Sequence, residues 1–129
     1  MPSFKFHRSE HLKSRTIIRS LFSHGKSFSV YPIRLVWTAI DPPMNDFPIQ
    51  FAQTVPKRSF NKANKRNVIR RKIREAFRLH KHLLAEENQF AGKQFGWMFI
   101  YVAKEELPYQ KIEAATQKII RKFIQEFQS

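Results

Sequence analysis

The 129-residue chain carries 24 Lys and Arg against 10 Asp and Glu, a formal charge of +14. One domain is the natural count at this length, and 42% hydrophobic residues support a core rather than global disorder. The lack of cysteine excludes a disulfide framework, a Cys-ligated zinc site and a thiol nucleophile; no apolar run nears the roughly 18–20 residues that span a bilayer, and Met1–Arg15 is basic without the apolar stretch of a signal peptide, so a cytoplasmic location is expected.

Between His11 and Ser23, Leu12, Ile17, Ile18, Leu21 and Phe22 recur at helical spacing, and Gly25 marks a stop. Residues 27–31 alternate like a short strand, and Ile33–Ile40 is rich in β-branched and aromatic types, a second strand. Asp41-Pro-Pro-Met-Asn-Asp46 reads as a loop. Ile49–Val55 reads as a third strand ended by Pro56. After a polar stretch, a helix is predicted from Asn64 to Leu84. At 100° per residue, Ile69, Ile73, Ala76, Phe77, His80, Leu83 and Leu84 share one arc. Arg66, Arg70, Arg74, Arg78 and Lys81 share the next, with Asn67 and Arg71 beside them. Trp97–Ala103 reads as a buried strand. Leu107-Pro108 opens a last helix whose buried stripe is Ile112, Ala115, Ile119, Ile120, Phe123 and Phe127. The order α-β-β-β-α-β-α predicts a single α+β domain over residues 1–129 with one mixed four-stranded sheet; residues 1–10 are expected to be flexible.

The charge is concentrated. No acid lies between Asp46 and Glu75, and that gap holds nine basic residues: Lys57, Arg58, Lys62, Lys65, Arg66, Arg70, Arg71, Lys72 and Arg74. Such a run costs folding energy through self-repulsion, which a polyanion relieves. Nucleic acid is favoured over an anionic membrane, because the basic segment lacks the apolar face of an interfacial helix. Arginine forks grip phosphate oxygens, so five Arg and Lys positions along one helical edge form a rail for a phosphate backbone. The chain has 18 aromatics, 13 of them Phe. Phe77, Phe99, Phe123 and Phe127 are assigned to the core. For Phe22, Phe28, Tyr31 and Trp37, packing and stacking on single-stranded bases stand as equal alternatives.

Catalytic chemistry is missing. A protein nuclease needs carboxylates for Mg²⁺ or a histidine pair. Glu86-Glu87 and Glu105-Glu106 are adjacent in sequence and tend to diverge, Glu75 lies opposite the core arc, and Glu113 and Glu126 are placed on the solvent side of the last helix. His7 and His11 would suit a metal only if their segment were helical. Only three glycines are present and no Gly-rich phosphate loop. No metal or cofactor is expected on the protein.

The stretch Thr54-Val-Pro-Lys-Arg-Ser-Phe-Asn-Lys-Ala-Asn-Lys-Arg-Asn-Val-Ile-Arg-Arg-Lys-Ile-Arg-Glu-Ala-Phe-Arg78 resembles the signature of the bacterial ribonuclease P protein component. That signature is a basic pair after a strand, a loop containing Ala, then Arg-Asn-x-x-(Lys/Arg)-Arg-x-x-Arg-(Glu/Gln)-x-Phe. Phe22-Ser-His-Gly-Lys-Ser27 resembles the family's Phe-x-x-Gly element. The resemblance implies a left-handed βαβ crossover around the basic helix, in a fold shared with ribosomal protein and elongation factor domains. It implies a non-catalytic subunit: a large RNA performs the Mg²⁺-dependent removal of the 5′ leader from precursor tRNA. The partners implied are that RNA and precursor tRNA, with no membrane and no protein partner required.

By position in the motif, the resemblance assigns Lys57, Arg58, Arg66, Asn67, Arg70, Arg71 and Arg74 to RNA contact; the basic cluster and the basic arc of the helix add Lys62, Lys65 and Arg78 as RNA-binding candidates. Lys57, Arg58, Arg66 and Asn67 are also assigned to the leader, which would lie in a cleft with Ile18, Phe22 and Trp37. Two positions depart from the family: Ile18 replaces a common Phe, and Val68 stands third in the Arg-Asn-Arg core, so that contact is lost or passes to a neighbour such as Lys72. The loop between Arg58 and Arg66 is also one residue longer than usual. The competing readings are a ribosomal or general RNA-binding protein on the same fold, and a self-sufficient nuclease.

Overall fold

The computed structural model describes residues 5–128. In chain order the elements are α1 (Arg15–His24), β1 (Lys26–Val30), β2 (Ile33–Ile40), β3 (Ile49–Thr54), α2 (Ala63–His80), a one-turn α3 (His82–Ala85), β4 (Gln94–Tyr101) and α4 (Tyr109–Gln128). Short 3-10 turns at Arg8–Glu10 and Asn88–Phe90 add to the expected α-β-β-β-α-β-α order. The four strands form one sheet in the order β1-β2-β4-β3. β1–β2 and β2–β4 are antiparallel and β3–β4 is parallel, so α2 is the crossover between parallel neighbours.

Strand alternation divides the side chains between two faces. Leu35, Trp37, Phe51, Phe95, Trp97 and Phe99 join Ile69, Ile73 and Phe77 of α2 and Ile119 and Phe123 of α4 in the main core. Phe51 stacks on Phe77 with ring centroids 4.0 Å apart. Each such fully buried side chain contributes about 1.5–3 kcal/mol of transfer free energy. The opposite face carries Val36 and Met98, which pack with Leu12 and Leu21 under α1.

α1 starts four residues later than the apolar spacing predicts. Ser14 caps it, its hydroxyl accepting from the Ile17 N–H. Leu12 does not belong to the helix: its N–H donates to the Phe51 carbonyl, and His11 bridges β3 in parallel. Gly25 caps the end of α1, its N–H donating to the Leu21 carbonyl, and the position suits glycine because a Cβ there would overlap the Leu21 carbonyl oxygen and lie 2.8 Å from Val36 Cγ1. Of the stretch 1–10 expected to be flexible, residues 1–4 lie outside the described residues. Residues 5–10 are held: Phe6 packs on Phe51 and Phe77, and Lys81 Nζ donates to the Lys5 carbonyl and the Glu10 carboxylate.

Candidate nucleic-acid interface

β3 ends at Thr54, and Pro56–Phe60 turns the chain into α2, with Ser59 and Phe60 N–H groups donating to the Pro56 carbonyl. Lys57 and Arg58 project from this turn and are exposed. Arg66 fixes it to the helix, its guanidinium donating to the Phe60 carbonyl at 2.7 Å. Because Ile69, Ile73, Ala76 and Phe77 are buried against the sheet and α4, helical periodicity leaves Lys62, Lys65, Asn67, Arg71 and Arg74 exposed, with Arg70 half-buried beside them. Arg70 donates to the Asn67 amide oxygen at 2.8 Å. Among the described residues, none of Lys57, Arg58, Lys62, Lys65, Arg66, Arg70, Arg71 and Arg74 is in a salt bridge.

Two cations of the basic arc are committed elsewhere. Arg78 pairs with Glu75, an ion pair that holds the Glu75 carboxyl below its ordinary range, chiefly through the guanidinium hydrogen bond. Lys81 turns inward to Glu10, with side chains only 11% and 5% exposed. Lys72, the neighbour named to stand in at Val68, donates to Glu106 and to the Leu107 carbonyl, both at 3.1 Å. Val68 itself is exposed on the helix surface.

The cleft residues are not all brought together. Phe22 is 62% exposed at the end of α1, and Ile18, one turn earlier, packs on the α1 side of the sheet together with Ala52 and Ile100. Trp37 is a correction. It is buried on the opposite face, edge-on to Phe123 at 5.0 Å and beside Phe95 and Phe127. One step in strand register exchanges faces, and the β2 residue beneath α1 is Val36.

On the α1 side, a groove of about 720 Å³ lies at the ends of β3 and β4. Arg34, Arg58, Ile100, Val102 and Lys104 line it. Ile100 joins it to the cluster under α1, and Arg58 joins it to the start of α2. Arg34 and Lys104 were missed in the sequence. The available signal was a lone charged residue, Arg34, on an outward position of the Ile33–Ile40 strand; its side chain donates to Ser27 Oγ at 3.1 Å.

The carboxylates do not converge. Glu113, expected at the solvent, lies 3.1 Å from His80 Nε2 and accepts from the Tyr109 hydroxyl at 3.3 Å. It ties α2 to α4. Burial, then the Glu113 charge, push Tyr109 up to about 12. The segment holding His7 and His11 is not one helix. His7 Nδ1 accepts from the Ser9 N–H as a cap, and no group of three or more His, Asp or Glu side chains among the described residues is placed to hold a metal ion. No helix among them is long and apolar enough to cross a membrane.

Comparisons with known proteins agree with this geometry. The family model described as Ribonuclease P matches residues 6–124. The ribonuclease P protein component of Porphyromonas gingivalis strain W83 is 36% identical over 118 residues, covering 91% of this chain and 85% of its own length. The Thermotoga maritima RNase P protein superposes with a TM-score of 0.67 at 20% identity, over 87% of this chain and 96% of that one. The Staphylococcus aureus RNase P protein gives 0.65 at 17% identity, over 90% and 96%. At such identities the structural likenesses speak for the fold; the sequence matches speak for the family. The chain belongs to the ribonuclease P protein component family.

Proposed function

We propose that this protein is the RNA-binding, non-catalytic subunit of a cytoplasmic ribonucleoprotein that removes the 5′ leader of precursor tRNA. The observation that carries the reading is the basic surface formed by Arg34, Arg58 and Lys104 at the groove and by the exposed cations along the edge of α2. Phosphates neutralised there release condensed counterions, which supplies affinity without sequence preference. The α2 edge from Lys62 to Arg74 holds the catalytic RNA. The groove at the ends of β3 and β4 takes the single-stranded leader, with Arg34, Arg58 and Lys104 holding its phosphates, and the exposed Phe22 ring at the end of α1 stacks on a base. Hydrolysis and its Mg²⁺ belong to the RNA partner.

The test is 5′ cleavage of precursor tRNA at low Mg²⁺ by the catalytic RNA of a close relative, with and without this protein, and by protein alone. Strong stimulation with no cleavage by protein alone is the expected result. Cleavage by protein alone that survives removal of RNA would overturn the assignment in favour of a protein nuclease. Tight, salt-sensitive RNA binding without stimulation would overturn it in favour of a general RNA-binding protein.

A further inference from the structure

The basic edge of α2 does not stop at Arg74. Beside it lies the amino-terminal arm, laid along the outer edge of β3 by the His11–Phe51 bridge and the Leu12 N–H bond to Phe51. Phe6 anchors the arm between Phe51 and Phe77, and the His11 ring packs against Phe6 with centroids 4.3 Å apart. Lys13 and Arg74 are exposed and in no salt bridge among the described residues. Leu12 is buried between His11 and Lys13, which puts those two on the outer side of the arm, and Arg74 stands one helical turn before Phe77, on which Phe6 packs; the arm and α2 thus place the three nitrogen-bearing side chains along one seam at the margin of the proposed RNA surface.

We propose that His11, Lys13 and Arg74 form an RNA phosphate site in which phosphate binding is coupled to protonation of the His11 imidazole. The inference rests on the RNA-binding reading of α2 and adds the arm to it.

The electrostatics set the sign. His11 is held below the ordinary histidine range by its partial burial first, then by Lys13 and Arg74, against a smaller opposing effect of Glu10. The charged groups around it are Arg8, Glu10 and Lys13 on its own segment and Arg74 on α2; β3 contributes no ionisable side chain. Glu10 is already engaged by Lys81 and by the His7 N–H, so it does not compensate a new cation. In the free protein these causes favour the neutral imidazole. A phosphodiester seated between Lys13 and Arg74 brings one negative charge against their two positive charges, which favours the protonated imidazole, so His11 takes a proton from solvent as RNA binds. By linkage, affinity must then rise as pH falls, by at most about tenfold per pH unit for one coupled proton.

The experiment measures binding of the intact protein to the catalytic RNA of a close relative between pH 5.5 and 8 at fixed ionic strength. Wild type is compared with His11→Gln, His11→Arg, Lys13→Gln and Arg70→Gln. The readout is the difference between wild type and His11→Gln. We expect His11→Gln to lose several-fold of the low-pH gain, and His11→Arg to bind at pH 8 as tightly as wild type at low pH. Lys13→Gln should lower the salt slope by about one. Because Lys13 is exposed, that variant tests the site even if His11→Gln loosens the Phe6 contact. In histidine NMR of the wild type, the His11 midpoint should move up on adding RNA. An unmoved midpoint, or full pH dependence in His11→Gln, would overturn the inference. If Arg70→Gln still lowers the slope in that case, the α2 interface stands and only the arm is lost; if it does not, both readings fall.

Discussion

Replacing Phe22 by alanine separates binding from folding. The ring is 62% exposed and closes no core contact, whereas Leu21 beside it is fully buried under the same helix. A surface substitution of this kind changes folding stability by about 0.5 kcal/mol or less. Stacking of one base on an aromatic ring is worth about 1–3 kcal/mol by alanine substitution, or roughly 5- to 150-fold in affinity. The binding loss should thus exceed the folding loss at least twofold, and only for a substrate that carries a leader. The assay compares leader-bearing precursor and mature tRNA binding to the assembled ribonucleoprotein, with a urea melt of the free protein alongside. Equal weakening for both tRNAs would place Phe22 outside the leader path. A melt showing more than about 1 kcal/mol lost would mean that the ring supports α1 instead.

Trp37→Ala should give the opposite profile, because its ring is packed by Phe95, Phe123 and Phe127; urea melts should show about 3–5 kcal/mol lost, with leader discrimination intact in whatever remains folded. Glu10→Gln leaves the Lys81 ammonium, 11% exposed, without its carboxylate, and should cost about 3–5 kcal/mol; a loss below 1 kcal/mol in the same melt would show that the ammonium finds water. The Tyr109 hydroxyl, raised to about 12 by burial and Glu113, stabilises the fold fully below its unfolded value near 10. That contribution is lost as pH rises from about 10 to 12, and melts across that range should be flatter for Tyr109→Phe.

The elements were legible where one period dominates. β2 falls on Ile33–Ile40 as the apolar run predicts, and the core arc of α2 holds through Phe77. Failures came where contacts distant in sequence decide. β4 starts at Gln94, three residues before the Trp97 run, because the Gln94 amide is satisfied by Met44, Asn45 and Phe47 of the loop before β3. α2 ends at His80, not Leu84. No Gly or Pro announces this; Lys81 instead turns inward to an acid 71 residues earlier. The basic edge was visible as composition, since nine cations without an acid need no structure to be seen. The groove was not, because Arg34 and Lys104 meet Arg58 only through the pairing of β2 and β3 on either side of β4. Trp37 shows the limit most clearly. Its residue type suits a stacking platform, but the pleat sends it to the other face.

The charges that suit α2 to a polyanion work against the free fold, and this gives salt two opposite signs in one molecule. Arg66, Arg70 and Arg74 are spaced four apart, so Arg70 has a like charge one turn away on each side. Each such pair costs about 0.2–0.5 kcal/mol in a helix. Arg70→Gln removes both pairs and gives up only the bond to Asn67. Urea melts at low ionic strength should therefore show the variant about 0.5 kcal/mol more stable than wild type. The gain should disappear toward 1 M salt, where the Debye length is about 3 Å. The same substitution should lower the salt slope of RNA binding by about one. A wild type whose stability falls as salt is added, or a variant less stable at low salt, would show that α2 is not repelling itself. The missing acids between Asp46 and Glu75 would then have no folding cost for RNA to relieve. If both signs appear, the helix is strained by its own charge until a phosphate backbone is present, and assembly with RNA supplies stabilisation that the sequence withholds from the free protein.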